Sequence, residues 1–420
     1  MVQRVRYYIF LRDILMLACT TFGGPQAHLA HFQKVLVQKR KYLSEEDLME
    51  LNSLCQMLPG PASTQTLTAI GFKIGGPTLA YLTLLVWILP AVLLMTTAAL
   101  VMSNIQEKNW SIEFTRFIQP MAVGFVSYGA YMISLKTVRT KTGVAIMIVA
   151  GAVSYFIQTP FIFPVIILAA GLTTSLKFRS QPKEEKQKLK IDWSNFLLWG
   201  AVLIIAAVLG GVTKALPVKL FENFYRNGSL IFGGGQVLAP LLYTEFVEDN
   251  IPTEGMHESK AAELKTKIKK QYAPKPLHSP ISHVEFLSGY AVAQALPGPV
   301  FSFSAYIGAL SSRDHGPGGA ILGAIMSALG IFLPGTFLIF FVIRFWESMK
   351  QFRAVRASLE GITAASAGLV AASAIILFQP LENTFLNFSI TAATFCLLAF
   401  TKLPSPLIIL GGLILGLLIK

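Results

Sequence analysis

Charge is what this sequence has least of. Only 14% of its 420 residues are Asp, Glu, Lys or Arg, against about 25% in an ordinary soluble domain. With 53% hydrophobic residues and a mean hydropathy of +0.58, that deficit argues against a soluble globule and for the membrane class. Cysteine is scarce too. Cys19, Cys55 and Cys396 show no C-x-x-C spacing, which excludes a disulfide framework and a thiolate metal site. Lying in or beside apolar segments, they read as small buried hydrophobes. The six histidines are scattered and the carboxylates fall mostly in loops. No paired carboxylates, metal cluster or nucleophile with its base is visible, so a membrane-embedded enzyme is disfavoured. No cofactor and no metal are expected.

The charge that is present is basic, with a formal net of +13. The Lys and Arg residues flank apolar runs, as the positive-inside rule requires, so nucleic acid is not the expected partner; the lipid bilayer is. A helix-length apolar stretch runs from about Tyr8 to Gly24, interrupted by Arg12 and Asp13 and followed by no small-residue cleavage site. It reads as a retained first helix.

After an amphipathic basic stretch, His28 to Lys41, the Ser44-Glu45-Glu46-Asp47 segment starts a helix. That helix meets Pro59-Gly60-Pro61 and resumes at Ser63. Two prolines around a glycine cannot continue a regular helix, so two half-helices are expected. Gly76-Pro77 opens a long run to about Asn104, and further spans fall near 113–137, 142–158 and 160–177. A charged linker, 177–192, and one more span, 193–213, precede a second cycle. That cycle has a polar loop at about 249–280, a break at Pro297-Gly298-Pro299, and spans near 316–345, 353–378, 386–402 and 403–420.

The second cycle repeats the first. Phe22-Gly23-Gly24-Pro25-Gln26 matches Phe232-Gly233-Gly234-Gly235-Gln236. Gln56-Met57-Leu58-Pro59-Gly60-Pro61 matches Gln294-Ala295-Leu296-Pro297-Gly298-Pro299. Ile88-Leu89-Pro90 matches Phe332-Leu333-Pro334, and Pro164 to Leu168 matches Pro406 to Leu410. The separations are 210, 238, 244 and 242 residues, and the one large jump falls in the polar loop, where extra length costs little. The expected fold is an all-α polytopic membrane protein of two homologous repeats with proline-broken helices and about 10–13 transmembrane segments. Its units are 1–177, a linker with a connecting helix at 178–216, and 217–420 carrying the hydrophilic insertion. That insertion, absent from the first repeat, is expected to be dispensable for the transport step. The repeats are inverted if each broken segment crosses once, and parallel if it is a re-entrant hairpin. Loop charges divide about 22 to 9 in the first case and about 20 to 10 in the second, which does not decide. Inversion is favoured by analogy with other transporters.

A broken helix in a bilayer frees backbone donors and acceptors that must line a cavity or meet a ligand. The half-helix after the break presents unpaired N–H groups and a partial positive charge, a natural anion site. Candidate substrate-binding residues are therefore Pro59, Gly60, Pro61, Ser63 and Thr64 in the first repeat and Pro297, Gly298, Pro299, Ser302 and Ser304 in the second. Gln56 and Gln294 approach from the other side. Gly23, Gly24 and Gln26, with Gly233, Gly234 and Gln236, form turns where backbone can approach a ligand closely. Among charged residues near membrane depth, Lys73 is the leading candidate, with Arg116 beside it. His28 and His31 read as a solvated face, with proton coupling as the other possibility. Gly71-x-x-x-Gly75 and Gly319-x-x-x-Gly323 fit close helix packing.

Together, the two Phe-Gly-Gly turns, the two Gln-x-Leu-Pro-Gly-Pro breaks and the Gly-Pro elements that follow resemble the chromate ion transporter family in its long, two-domain form, over nearly the whole chain. The resemblance implies transport of chromate across the bacterial inner membrane, as proton-motive-force-dependent efflux that confers resistance. Chromate is a tetrahedral dianion like sulfate, so sulfate or another oxyanion is the alternative substrate. A homodimer is the assembly to test for.

Overall fold

The computed structural model describes residues 7–22, 24–107, 116–157, 162–176, 193–231, 235–247, 281–344, 353–401 and 403–418. These residues are helical apart from short connections and a single bridge between Val247 and Ile281. The charged linker 177–192 and the insertion 249–280 lie outside the described residues.

The first repeat opens with two hairpins. Helix α1 (Tyr7–Thr20) is followed by α2 (Gly24–Phe32), which runs on as a π-helical turn, Gln33–Lys39. The Asp13 carboxylate on α1 is fully buried and accepts from Arg40 Nη2 at 2.7 Å and from the Tyr42 hydroxyl at 2.6 Å. In one continuous helix Asp13 and Arg40, 27 positions apart, would be separated by about 40 Å. The chain therefore doubles back at the Phe-Gly-Gly turn, where Gly24 takes φ +79°.

The second hairpin pairs α3 (Glu45–Met57) with the first arm of α4 (Ala62–Glu107) around Pro59-Gly60-Pro61. Its open end is clasped by Lys73 Nζ, which donates to Asp47 at 2.6 Å. This bond holds the Asp47 carboxyl below the usual carboxylate range. Helix α4 then folds back at Gly75–Gly76, whose backbone leaves the helical region, with φ +70° at Gly76. A Cβ on Gly71 would lie 2.5 Å from Thr83 Oγ1 and 3.1 Å from Ala80 Cα; along a straight helix Gly71 and Thr83 would be about 18 Å apart.

The second repeat does the same. Helices α9 (Leu216–Leu230) and α10 (Gly235–Phe246) are tied by Arg226 and Asn227, each donating to Glu245 at 2.7 Å. Helix α11 (His283–Ala295) leads through Pro297-Gly298-Pro299 and a 3₁₀ turn (Val300–Ser302) into α12 (Phe303–Ser311), and Arg313 clasps Glu285. Both α3 and α11 begin with a capping box, Ser44 with Asp47 and Ser282 with Glu285. In each, the acid that closes the box also takes the clasping base. Gly316, at φ +72°, matches Gly76 and opens α13 (Gly316–Val342).

An arm such as α3, 13 residues long, reaches about 20 Å. Its partner arm is clasped beside it at the open end by Lys73 on Asp47, so the segment returns to the side it entered from. Each broken segment is thus re-entrant, and so is the Phe-Gly-Gly segment before it. The crossings between α1 and α9 are the second arm of α4, then α5 (Ile118–Thr137), α6 (Lys141–Phe156), α7 (Ile162–Ser175) and α8 (Ser194–Thr213). With each of these five helices taken as one crossing, the number is odd and the repeats are inverted. The expectation that a re-entrant break makes them parallel counted Tyr8–Gly24 as a full span. The burial of Asp13 against Arg40 and Tyr42 makes it one arm of a hairpin instead.

The repeats interlock. Helix α14 (Arg353–Phe378) packs against α5, α6 and α7, and α15 (Phe385–Phe400) against α5; α16 (Ser405–Leu418) closes the chain. Small residues allow the approach: a Cβ on Gly368 would lie 2.1 Å from the Met147 carbonyl oxygen, and one on Gly361 2.0 Å from that of Ala170. The two Gly-x-x-x-Gly pairs also pack tightly, with Gly323 against the Gly308 carbonyl and Gly75 against Tyr7. Of the three cysteines only Cys55 is buried; Cys19 and Cys396 are exposed on outer helix faces. The buried-hydrophobe expectation fails for these two because no other described helix packs over those positions.

Inversion has a direct check. With Cys19, Cys55 and Cys396 replaced, the exposed positions Glu46 and Asp314 are converted singly to cysteine. A membrane-impermeant maleimide should label Glu46→Cys and Asp314→Cys from opposite sides of the membrane. Labelling of both from one side contradicts the inverted arrangement.

Candidate functional site

At the first break α3 ends on Leu58, which is extended (φ −95°, ψ 150°), and Gly60 takes φ +111°. Proline 61 has no N–H, and the helix-initiating N–H groups of Ala62, Ser63 and Thr64 have no intrahelical acceptor. The first full helical bond runs from the Gln65 N–H to the Pro61 carbonyl at 2.9 Å. The Gln65 side chain turns back, its Nε2 donating to the Pro59 carbonyl at 2.7 Å. Thr64 Oγ1 accepts from Trp87 Nε1 at 3.2 Å.

At the second break Leu296 is likewise extended and Gly298 takes φ +97°. The half-helix starts as a 3₁₀ turn, with the Ser302 N–H on the Pro299 carbonyl at 2.9 Å. Ser302 and Ser304 are buried, and neither hydroxyl has a partner among the described residues. Gln294 is buried beside the Tyr290 hydroxyl. Unsatisfied buried donors such as the two serine hydroxyls are expensive unless something else meets them.

Each break is held by the other repeat. The Gly60 N–H donates to the Ile231 carbonyl at 2.7 Å, and the Gly298 N–H to the Thr21 carbonyl at 3.0 Å. Thr21 and Ile231 are matching residues, each immediately before a Phe-Gly-Gly turn. The side contacts match as well. A Cβ on Gly60 would meet the Gly228 carbonyl and Gly335 Cα, both at 3.5 Å; one on Gly298 would meet Ala91 Cβ at 3.0 Å and the Ala18 carbonyl at 3.6 Å. Ala18 corresponds to Gly228 and Ala91 to Gly335 at the separations of the repeat. Each tip is therefore seated inside the fold, in a cradle built by its counterpart repeat.

The structure brings together Pro59, Gly60, Pro61, Ser63 and Thr64 around one tip, and Gln294, Pro297, Gly298, Pro299, Ser302 and Ser304 around the other. Gly24 lies in the first turn; Gly23, Gly233 and Gly234, and the side chains of Gln26 and Gln236, lie outside what is described. Gln56 is exposed, unlike buried Gln294. Lys73 is not at the break but at the hairpin mouth on Asp47, half-exposed. Arg116 stands 6.0 Å over the Phe117 ring. His28 corrects the surface reading: it is 1% exposed and its Nδ1 lies 3.0 Å from Ser63 Oγ. Sequence reasoning also missed Gln65 and Trp87, whose roles depend on contacts across the fold. A cavity of about 410 Å³ lined by Lys219, Glu222 and Asn223 lies elsewhere, between α8 and α9, and shares no residue with either break.

Two repeats of broken helices, each break seated on the other repeat, define a multi-pass membrane protein with the layout of secondary transporters. The chain belongs to the chromate transporter family, whose sequence pattern matches residues 9–175 and 271–417. It is 25% identical over 96% of its length to the probable chromate transport protein of Synechococcus elongatus, covering 93% of that protein. It is 24% identical over 97% of its length to the chromate transport protein of Cupriavidus metallidurans, covering 92% of that one. No solved structure matches the chain.

Gly60→Ala and Gly298→Ala each place a side chain at a positive φ, at a cost of about 1–3 kcal/mol, with a neighbour 3.0 Å away. Both substitutions should cut transport at least tenfold, read as flux per unit of inserted protein. Wild-type flux in either variant contradicts the cradle geometry.

Proposed function

We propose that this protein is a secondary active transporter of chromate, moving it out across the inner (plasma) membrane and so conferring chromate resistance. The observation that carries the reading is the pair of helix breaks, each seated on the other repeat. Two half-helix N-termini and several buried hydroxyl and amide donors then converge on the protein interior. A tetrahedral dianion needs several donors at once, and partial positive charge without a full counter-charge lets it be bound and released. Chromate is the substrate named for the relatives from Synechococcus elongatus and Cupriavidus metallidurans. Alternating access follows if rocking of one repeat against the other exposes the breaks first to one face and then to the other. Residues 1–177 and 217–420 act as the two rocking units, with 249–280 outside the transport step.

Backbone N–H and hydroxyl donors read charge and shape rather than the central atom, so sulfate should compete. In everted membrane vesicles the wild-type protein should give saturable chromate uptake that sulfate inhibits competitively and that collapses with the proton gradient. Uptake that rises linearly with chromate, or none above vesicles lacking the protein, contradicts this function.

A further inference from the structure

The two breaks match in backbone but not in side chains. Counting from the Phe-Gly-Gly turns, His28 corresponds to Leu238. Both are buried, at 1% and 0% exposure, so one break carries an imidazole where its counterpart carries a hydrocarbon. His28 stands edge-on to Trp87, with ring centroids 5.3 Å apart and planes at 87°. Trp87 in turn donates to Thr64, so imidazole, indole and the first turn of the half-helix form one packed unit. Nδ1 faces Ser63 Oγ, and Nε2 is buried without a partner among the described residues.

Among the described residues no carboxylate bonds to or pairs with this imidazole. Its own helix contributes His31; the π-helical turn contributes Lys34 and Lys39; α4 contributes Lys73, which is committed to Asp47. A buried imidazolium without a counter-charge is strongly disfavoured, so the ring is neutral, with one N–H and one lone pair. A hydroxyl donating to Nδ1 leaves the proton on Nε2.

We propose that His28 contacts the transported oxyanion and makes the two inverted half-sites unequal. The Ser63 hydroxyl donates to Nδ1, and the Nε2–H donates to an oxygen of the anion at the first break. Ser63 is then a positioning residue, whereas Ser302 and Ser304 keep free hydroxyls for the anion at the second break. This rests on the oxyanion reading of the site above.

The test is the KM and kcat of chromate uptake in everted vesicles for the wild type, His28→Leu, His28→Gln and His28→Asn. A glutamine amide reaches about where Nε2 lies, and an asparagine amide about where Nδ1 lies. Leucine is the residue the second repeat already accommodates. His28→Leu and His28→Asn should raise KM about tenfold or more, the range of one hydrogen bond to a charged group, with kcat within about twofold. His28→Gln should stay within about threefold of the wild-type KM. Unchanged KM in His28→Leu or His28→Asn at wild-type membrane abundance overturns the proposal. So does an equal loss in all three variants, which marks a packing role. Absence of saturable oxyanion flux in the wild type sinks the functional reading first, and is thereby distinguishable from failure of this inference alone.

Discussion

Hydrocarbon offers nothing to a free N–H or C=O, so a helix that breaks inside a bilayer must find its partners in protein, water or ligand. Here the solution is reciprocal. Glycine 60 donates to Ile231 and Gly298 to Thr21, so the end of one repeat's first arm satisfies the other repeat's break. The prolines on either side remove donors that would have been left over. Most other features serve this exchange: re-entrant arms of suitable length, glycines at positive φ, and Gly335 against the Gln65 side chain at the first tip. What the exchange leaves unmet are the first-turn N–H groups at 62–64 and a few side-chain donors, among them Ser302 and Ser304.

The hairpin mouths are secured separately. Asp47 with Lys73 and Glu285 with Arg313 each close a hairpin at its open end. The exposed first pair contributes little by itself. The second has Glu285 almost fully buried, so losing Arg313 would leave a buried charge alone, a severe destabilisation. The clasps are matched in position yet unequal in burial. With His28 opposite Leu238, they show that the two-fold relation governs the backbone more strictly than the side chains.

The repeat was legible in the sequence because Pro-Gly-Pro and Phe-Gly-Gly are backbone signals, and backbone is what the symmetry preserves. The helix boundaries after the hairpins were legible for the same reason, apolar runs ending at polar or proline residues. The hairpins themselves were not. Tyr8–Gly24 has the length and hydropathy of a crossing helix, and only the Asp13–Arg40 contact shows that it turns back. The boundary at Gly76-Pro77 was legible as the start of a new run, but that the two arms fold back on each other shows only in the positive φ of Gly76 and the contact of Gly71 with Thr83. Lys73 looked like a lone intramembrane charge because its partner Asp47 lies 26 residues away. His28 looked solvated because helical periodicity cannot show that Phe32 and Trp87 enclose it.

The central claim is that the two breaks together form one oxyanion site. The most direct measurement locates bound chromate by the anomalous scattering of its chromium in crystals of the protein. The account predicts one peak in the interior, with its oxygens within hydrogen-bond reach, about 3 Å, of the first-turn N–H groups at 62–64 and of Ser302 or Ser304. A peak confined to the Lys219 cavity, with the breaks empty in a transport-competent protein, would contradict it.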